Sequence, residues 1–129
     1  MRIGHIYIVD DDVEDQEIFC QAVGDVDPQI NCQIFSSCDE MFKVLAKSLR
    51  NLPDIIFLDL NMPKINGKEC LSLLKKDSRF ENIPIYVYST TSFAREKEQT
   101  LKLGAAGFIV KPNSLSVLKK HLDDILHQA

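Results

Sequence analysis

At 129 residues, with 45% hydrophobic and 26% charged side chains, the chain is expected to form one domain with a substantial core. Its formal net charge of −4 speaks against nucleic-acid binding, which leaves a basic footprint. No stretch approaches the roughly 18 apolar residues of a membrane span, and the N-terminal MRIGHIYIVDD runs into charge without a small-residue cleavage site, so a cytoplasmic location is expected.

The first predicted element is HIYIV (5–9), nearly continuous in apolar residues as a strand buried on both faces should be. It stops at three consecutive aspartates, Asp10, Asp11 and Asp12. A helix is predicted over 13–24, with Ile18, Phe19, Ala22 and Val23 as its apolar stripe. INCQIF (30–35) partly alternates, which suits an edge strand. A second helix over 39–51 places Met41, Phe42, Leu45 and Leu49 on one face. IIFL (55–58) is a second doubly buried strand and leads into DLNMP. Gly67–Lys76 carries Cys70, Leu71 and Leu74 at helical spacing. IYVY (85–88) is the fourth strand, followed by STTS and by Phe93–Leu103, a mostly polar helix with the weakest pattern. GFIVKP (107–112) is a fifth strand stopped by Pro112. The last helix, Ser114 to about His127, has Leu115, Leu118, Leu122 and Ile125 on one stripe. Asp39, Ser92 and Asn113 or Ser114 are the expected N-caps.

The four cysteines, Cys20, Cys32, Cys38 and Cys70, form no C-x-x-C pair and lie near no histidine cluster. Free, buried or half-buried thiols are expected, not a zinc site.

Five strands alternating with five helices predict a flavodoxin-like (βα)5 fold, a doubly wound five-stranded parallel sheet of order 2-1-3-4-5 in a single domain spanning 1–129. In such sheets the functional crevice lies beyond the carboxyl ends of the strands, where the strand order reverses. Those ends carry Asp10, Asp11 and Asp12; Asp59 and Asn61; Ser89 and Thr90; and Lys111. Taken singly, the aspartate triplet caps a helix as readily as it binds a metal, and Lys111 reads as a solvated lysine. Together they form a chemical set. Clustered hard oxygen ligands choose Mg²⁺ or Ca²⁺, and a site with few protein ligands and room for waters and phosphate suits Mg²⁺. Phosphoryl transfer needs positioning and charge neutralisation, and an aspartate can be the nucleophile. Asp59, standing alone at the centre of the crevice, is the candidate.

The segments IVDDD (8–12), DLNMPKINGKE (59–69), YST (88–90) and GAAGFIVKP (104–112) together resemble the receiver domain of two-component response regulators over essentially the whole chain. Asp59 follows Asp11 by 48 positions; that spacing, with VEDQEIF after the acid run, is similar to the single-domain regulators associated with phytochrome kinases. The resemblance implies that Asp59 is the phosphorylation site, accepting phosphoryl from a sensor histidine kinase or a histidine phosphotransfer protein. Asp10 and Asp11 match the acidic Mg²⁺ pair, Asp11 the more direct ligand; Asn61 would offer its backbone carbonyl to the metal. Ser89 matches the hydroxyl that moves toward the phosphoryl group, Lys111 the phosphate-pairing lysine, and Phe108 the aromatic switch position, here without a hydroxyl. A cis Lys111–Pro112 bond is implied as well. Asp12 is left as the helix cap.

The resulting expectation is a stand-alone phosphoacceptor with no output domain, no nucleic-acid partner and no membrane partner. It would assist its own phosphotransfer and autodephosphorylation without being a turnover enzyme. Signalling would pass through a change in the helix 4/strand 5/helix 5 face to a downstream target protein or a homodimer. Two rivals remain: a Mg²⁺-dependent phosphatase, against which Asn61 stands where haloacid-dehalogenase-type enzymes want an acid, and a receiver-like interaction module that is never phosphorylated.

Overall fold

The computed structural model describes residues 3–91 and 93–127. Five strands, β1 (His5–Val9), β2 (Asn31–Phe35), β3 (Ile55–Leu58), β4 (Ile85–Ser89) and β5 (Gly107–Val110), alternate with five helices, α1 (Val13–Val26), α2 (Cys38–Lys47), α3 (Gly67–Lys76), α4 (Ala94–Lys102) and α5 (Leu115–Leu126). The strands form one parallel sheet in the order β2-β1-β3-β4-β5, as expected.

Side-chain alternation along the central strands builds two cores from one sheet. Tyr7 and Val9 of β1, with Ile56 and Leu58 of β3, face Met41 and Leu45 of α2 and Leu71 and Leu74 of α3. Ile6, Ile8, Ile55 and Phe57 face the other way, onto Phe19, Ala22 and Val23 of α1 and Leu118, Leu122 and Leu126 of α5. Because both faces are covered, β1 and β3 cannot alternate polar and apolar residues, which is why their sequences read as unbroken apolar runs. At the edge, β2 leaves Asn31 and Ile34 exposed and buries only Phe35.

The helix boundaries differ from expectation for local reasons. Residues 13–24 continue to Val26, because the first stop is Asp27, whose extended backbone precedes Pro28. The second helix starts at Cys38 instead of Asp39 and is capped by Ser37, whose Oγ accepts from the Glu40 N–H at 3.1 Å. Glu40 reaches back to accept from the Ser36 N–H at 3.3 Å, so the Ser-x-x-Glu spacing decides the start. That helix stops at Lys47, leaving Leu49 49% exposed outside it. Ser114 caps α5. The proposed cap Ser92 lies outside the described residues, and Phe93, which directly precedes α4, provides no side-chain cap. Thr100 is the only buried residue of α4, as its polar sequence predicts.

Two further expectations are corrected. Every peptide bond among the described residues is trans, Lys111–Pro112 included; the trans form is intrinsically favoured by about 0.5–1 kcal/mol, and the turn into α5 is made without the cis form. The cysteines are not all free: Cys38 and Cys70 form a disulfide joining α2 to α3. Thirty-two positions separate them, so no local spacing announces the pair, but both helices pack on the same sheet face and bring the two buried sulfurs together. Cys20 and Cys32 are free thiols in contact across α1 and β2.

One glycine fixes how closely α3 approaches the sheet edge. A Cβ at Gly67 would overlap the Asp59 carbonyl oxygen and sit 2.5 Å from Cα of Leu60, while its own N–H donates to the Leu60 carbonyl at 3.0 Å. Gly67→Ala must push α3 away from the β3–α3 turn. A loss of about 1–3 kcal/mol is expected from such overpacking, read as a lower urea midpoint with an unchanged m-value.

Candidate functional site

The carboxyl ends of β1, β3, β4 and β5 lie side by side, and backbone bonds hold each functional residue to the neighbouring strand. The Asp10 N–H donates to Phe35 of β2 at 3.0 Å, the Asp59 N–H to Val9 of β1 at 3.0 Å, and the Lys111 N–H to Ser89 of β4 at 2.7 Å. Side chains one residue past the end of a strand are thereby placed by the sheet itself.

Asp10 is fully buried and Asp59 is 4% exposed, whereas Asp11 faces solvent. One carboxylate oxygen of each lies within 4.8 Å of those of the other two. Oδ1 of Asp10 accepts from the Asp12 N–H at 3.0 Å, and Oδ1 of Asp59 from the Asn61 N–H at 3.2 Å. Lys111 Nζ, on a side chain only 9% exposed, lies 2.8 Å from Oδ2 of Asp10, 2.8 Å from Oδ2 of Asp15 and 3.5 Å from Oδ2 of Asp59. The ammonium also sits over the Tyr88 ring, 5.3 Å from its centroid. Ser89 is fully buried, and its Oγ accepts from the Thr91 N–H at 3.4 Å.

The electrostatics follow from burial. Desolvation pushes the Asp59 carboxyl up to about 6, a rise that the Asn61 N–H and Lys111 oppose and Asp10 assists. Burial acts to lower the Lys111 ammonium, but its hydrogen bonds to Asp10 and Asp15 outweigh that and hold it above the ordinary lysine range. Burial raises the Tyr88 phenol to about 12, despite the lysine beside it.

The sheet thus brings Asp10, Asp11, Asp59, Ser89 and Lys111 to one crevice. The Asn61 side chain is exposed at its rim, and Asp12 is the α1 N-cap, accepting from the Asp15 N–H at 3.0 Å. Phe108 is half-buried on β5, in register with Val87. Two participants escape a reading by strand ends because they lie on α1: Asp15, and buried Gln16, whose side-chain amide donates to the Asp10 carbonyl and to Ser36 Oγ at 3.2 Å. In the sequence Asp15 reads as a helix-start acid; only its position one turn beyond the aspartate triplet hints that it faces the same crevice.

Three buried or partly buried carboxylates around one lysine make an acidic pocket of hard oxygen donors, suited to a divalent cation and to charge-stabilised chemistry at an aspartate. The family model of the response regulator receiver domain matches residues 6–123, and the chain belongs to that family. Chemotaxis protein CheY1 of Helicobacter pylori is 38% identical over 72 residues, covering 56% of this chain and 58% of that protein. The chain thus spans little more than half the length of the curated relatives it first matches. Among solved structures, the phosphorylated cyanobacterial phytochrome response regulator RcpA is 26% identical, with a TM-score of 0.85 over 95% of this chain and 91% of that one. The Mn²⁺-bound response regulator Rcp1, at 22% identity and a TM-score of 0.83 over 98% and 96%, shares the fold.

The raised Asp59 carboxyl makes stability depend on pH. A carboxyl whose pKa is higher in the folded state than in the unfolded one weakens the fold once pH exceeds the folded value, and the cost vanishes below the unfolded value. Between an ordinary 3.8 and about 6 that cost is at most about 3 kcal/mol. In metal-free buffer, Asp59→Asn is therefore expected to be more stable than the parent by about 1–3 kcal/mol above pH 6. The gain should close as pH falls from 6 to 4, which urea unfolding across that range measures.

Proposed function

We propose that this chain is a phosphoacceptor that takes a phosphoryl group onto Asp59 from a phosphohistidine donor, a sensor histidine kinase or a histidine phosphotransfer protein. The observation that carries this reading is the meeting of Asp10, Asp11 and Asp59 oxygens within 4.8 Å, with Lys111 Nζ 3.5 Å from Asp59. In the transfer, an Asp59 oxygen forms a bond to phosphorus as the phosphorus–nitrogen bond of the donor breaks. The electron pair leaves with the imidazole nitrogen, which is protonated, and an aspartyl phosphate remains. The Asn61 N–H holds Oδ1 and so orients the carboxylate. Lys111 lies within reach of the transferred group and neutralises its developing charge. The Ser89 hydroxyl, beside the same strand end, donates to a phosphoryl oxygen once the group is in place.

Asp10, Asp11 and Asp59, with the Asn61 backbone carbonyl, are the residues that would hold Mg²⁺. The fit is chemical: the converging side-chain donors are carboxylate oxygens, those of Asp11 exposed, and burial leaves Asp59 short of positive charge. When bound, Mg²⁺ supplies charge neutralisation for the phosphoryl oxygens.

Output is assigned to the face of α4, β5 and α5, which would change arrangement on phosphorylation and meet a downstream target protein or a second copy. Supporting this, Leu101, Val110 and Val117 are 42%, 43% and 44% exposed, and Phe93, just before α4, is 73% exposed. The likeness to a phytochrome response regulator favours a light-sensing kinase as donor.

Acetyl phosphate with Mg²⁺ should add one phosphoryl group, mapped to Asp59 by mass spectrometry; equal labelling of Asp59→Asn would overturn the assignment. Asp11→Ala removes the exposed carboxylate of the pocket and should weaken Mg²⁺ binding at least tenfold. A calorimetric titration indistinguishable from that of the parent would count against that ligand set.

A further inference from the structure

We infer that Asp15 is a positioning residue that governs the phosphorylation site through Lys111, holding the ammonium back from Asp59 and competing with a phosphoryl group for it. The inference rests on the phosphoacceptor reading above and names a control built into that same site.

The geometry separates Asp15 from the other acids. Its Oδ2 is as close to Lys111 Nζ as that of Asp10, 2.8 Å, whereas Oδ2 of Asp59 is at 3.5 Å. Asp15 lies outside the group of Asp10, Asp11 and Asp59 whose oxygens converge, so its carboxylate serves the lysine and not the cation pocket. It stands in the first turn of α1, where its backbone N–H is already taken by Asp12 Oδ1 at 3.0 Å. The Asp12 N–H is likewise taken by Asp10 Oδ1 at 3.0 Å, so the helix start makes no demand on the Asp15 side chain. The side chain is 31% exposed, while that of Lys111 is 9% exposed; the helix thus presents a partly wet carboxylate to a nearly dry ammonium.

Two consequences follow from this placement. In the unmodified protein, Asp10 and Asp15 share the ammonium at short range, and Asp59 retains only the longer contact, so its carboxylate is not locked into a tight ion pair. After transfer, a phosphoryl group on Asp59 recruits the same ammonium, and whatever Asp15 keeps of it the phosphoryl group loses. The coupling is reciprocal: a group that binds better when Asp15 releases Lys111 must itself loosen Asp15 from Lys111. Asp15 is therefore a restraint on the phosphorylated state and not a participant in the chemistry.

The test uses beryllofluoride, formed from beryllium and fluoride, as a stable mimic of the phosphoryl group, titrated calorimetrically at saturating Mg²⁺. Asp15→Asn keeps the size of the side chain and removes its charge. It is expected to bind beryllofluoride two- to fivefold more tightly than the parent, the range that loss of a partly exposed ion pair produces. The same substitution in a Lys111→Gln background should give no gain, because its effect passes through the lysine, and Asp15→Glu should restore affinity toward that of the parent. Merely structural damage would weaken binding, the opposite sign. Equal or weaker binding by Asp15→Asn, or an equal gain in both backgrounds, as a simple change of net charge would give, overturns the inference while leaving the phosphoacceptor reading intact. Failure of the parent protein itself to take up beryllofluoride overturns that reading, and this inference with it.

Discussion

The Lys111 ammonium touches two carboxylates at 2.8 Å and a third at 3.5 Å, with little of its side chain in water. Around it the protein gathers Asp10, Asp11, Asp15 and Asp59, so one cation faces four anions. An arrangement of this kind is not built for stability, since buried charges recover their desolvation cost only when well paired. The excess of negative charge suits the pocket to a divalent cation. The raised Asp59 carboxyl is the same excess seen from the viewpoint of a proton.

The sheet makes that concentration of charge possible. Asp10, Asp59 and Lys111 each donate a backbone N–H to the neighbouring strand, so their positions are set by ladder geometry and not by loop conformation. The apolar packing on both faces supplies the rigidity, and Gly67 lets α3 close against the Asp59 turn where any side chain would intrude. Rigid placement matters because electrostatic assistance depends on groups that need not reorganise as charge develops.

The sequence was most legible where one physical cause acted alone. Double burial wrote β1 and β3 as unbroken apolar runs, and partial burial wrote β2 as a broken alternation; from these the strand order followed. Charged residues at strand ends marked the crevice, because carboxylates are seldom left there without a use. Features that depended on distant partners were hidden. The Cys38–Cys70 bond joins residues with no shared local pattern, and only the packing of α2 and α3 on one face reveals it. Asp15 carried the ordinary signature of a helix start, and beyond its place one turn after the aspartate triplet nothing local tells that its carboxylate meets a lysine 96 positions away. The start of α2 is legible in part: Asp39 is a fair cap in isolation, whereas Ser37, which accepts from the Glu40 N–H while Glu40 accepts from the Ser36 N–H, decides the boundary.

The disulfide also divides the molecule mechanically. It clamps α2 to α3, both already seated on the core formed with β1 and β3, so this half behaves as a chassis. Beside α3, α4 has one buried residue, no side-chain cap from Phe93 and a tether of Lys68 of α3 to Glu96 and Gln99, each at 2.6 Å. The added covalent bond on α2 and α3 and the sparse burial of α4 leave the elements around the crevice unequal in rigidity.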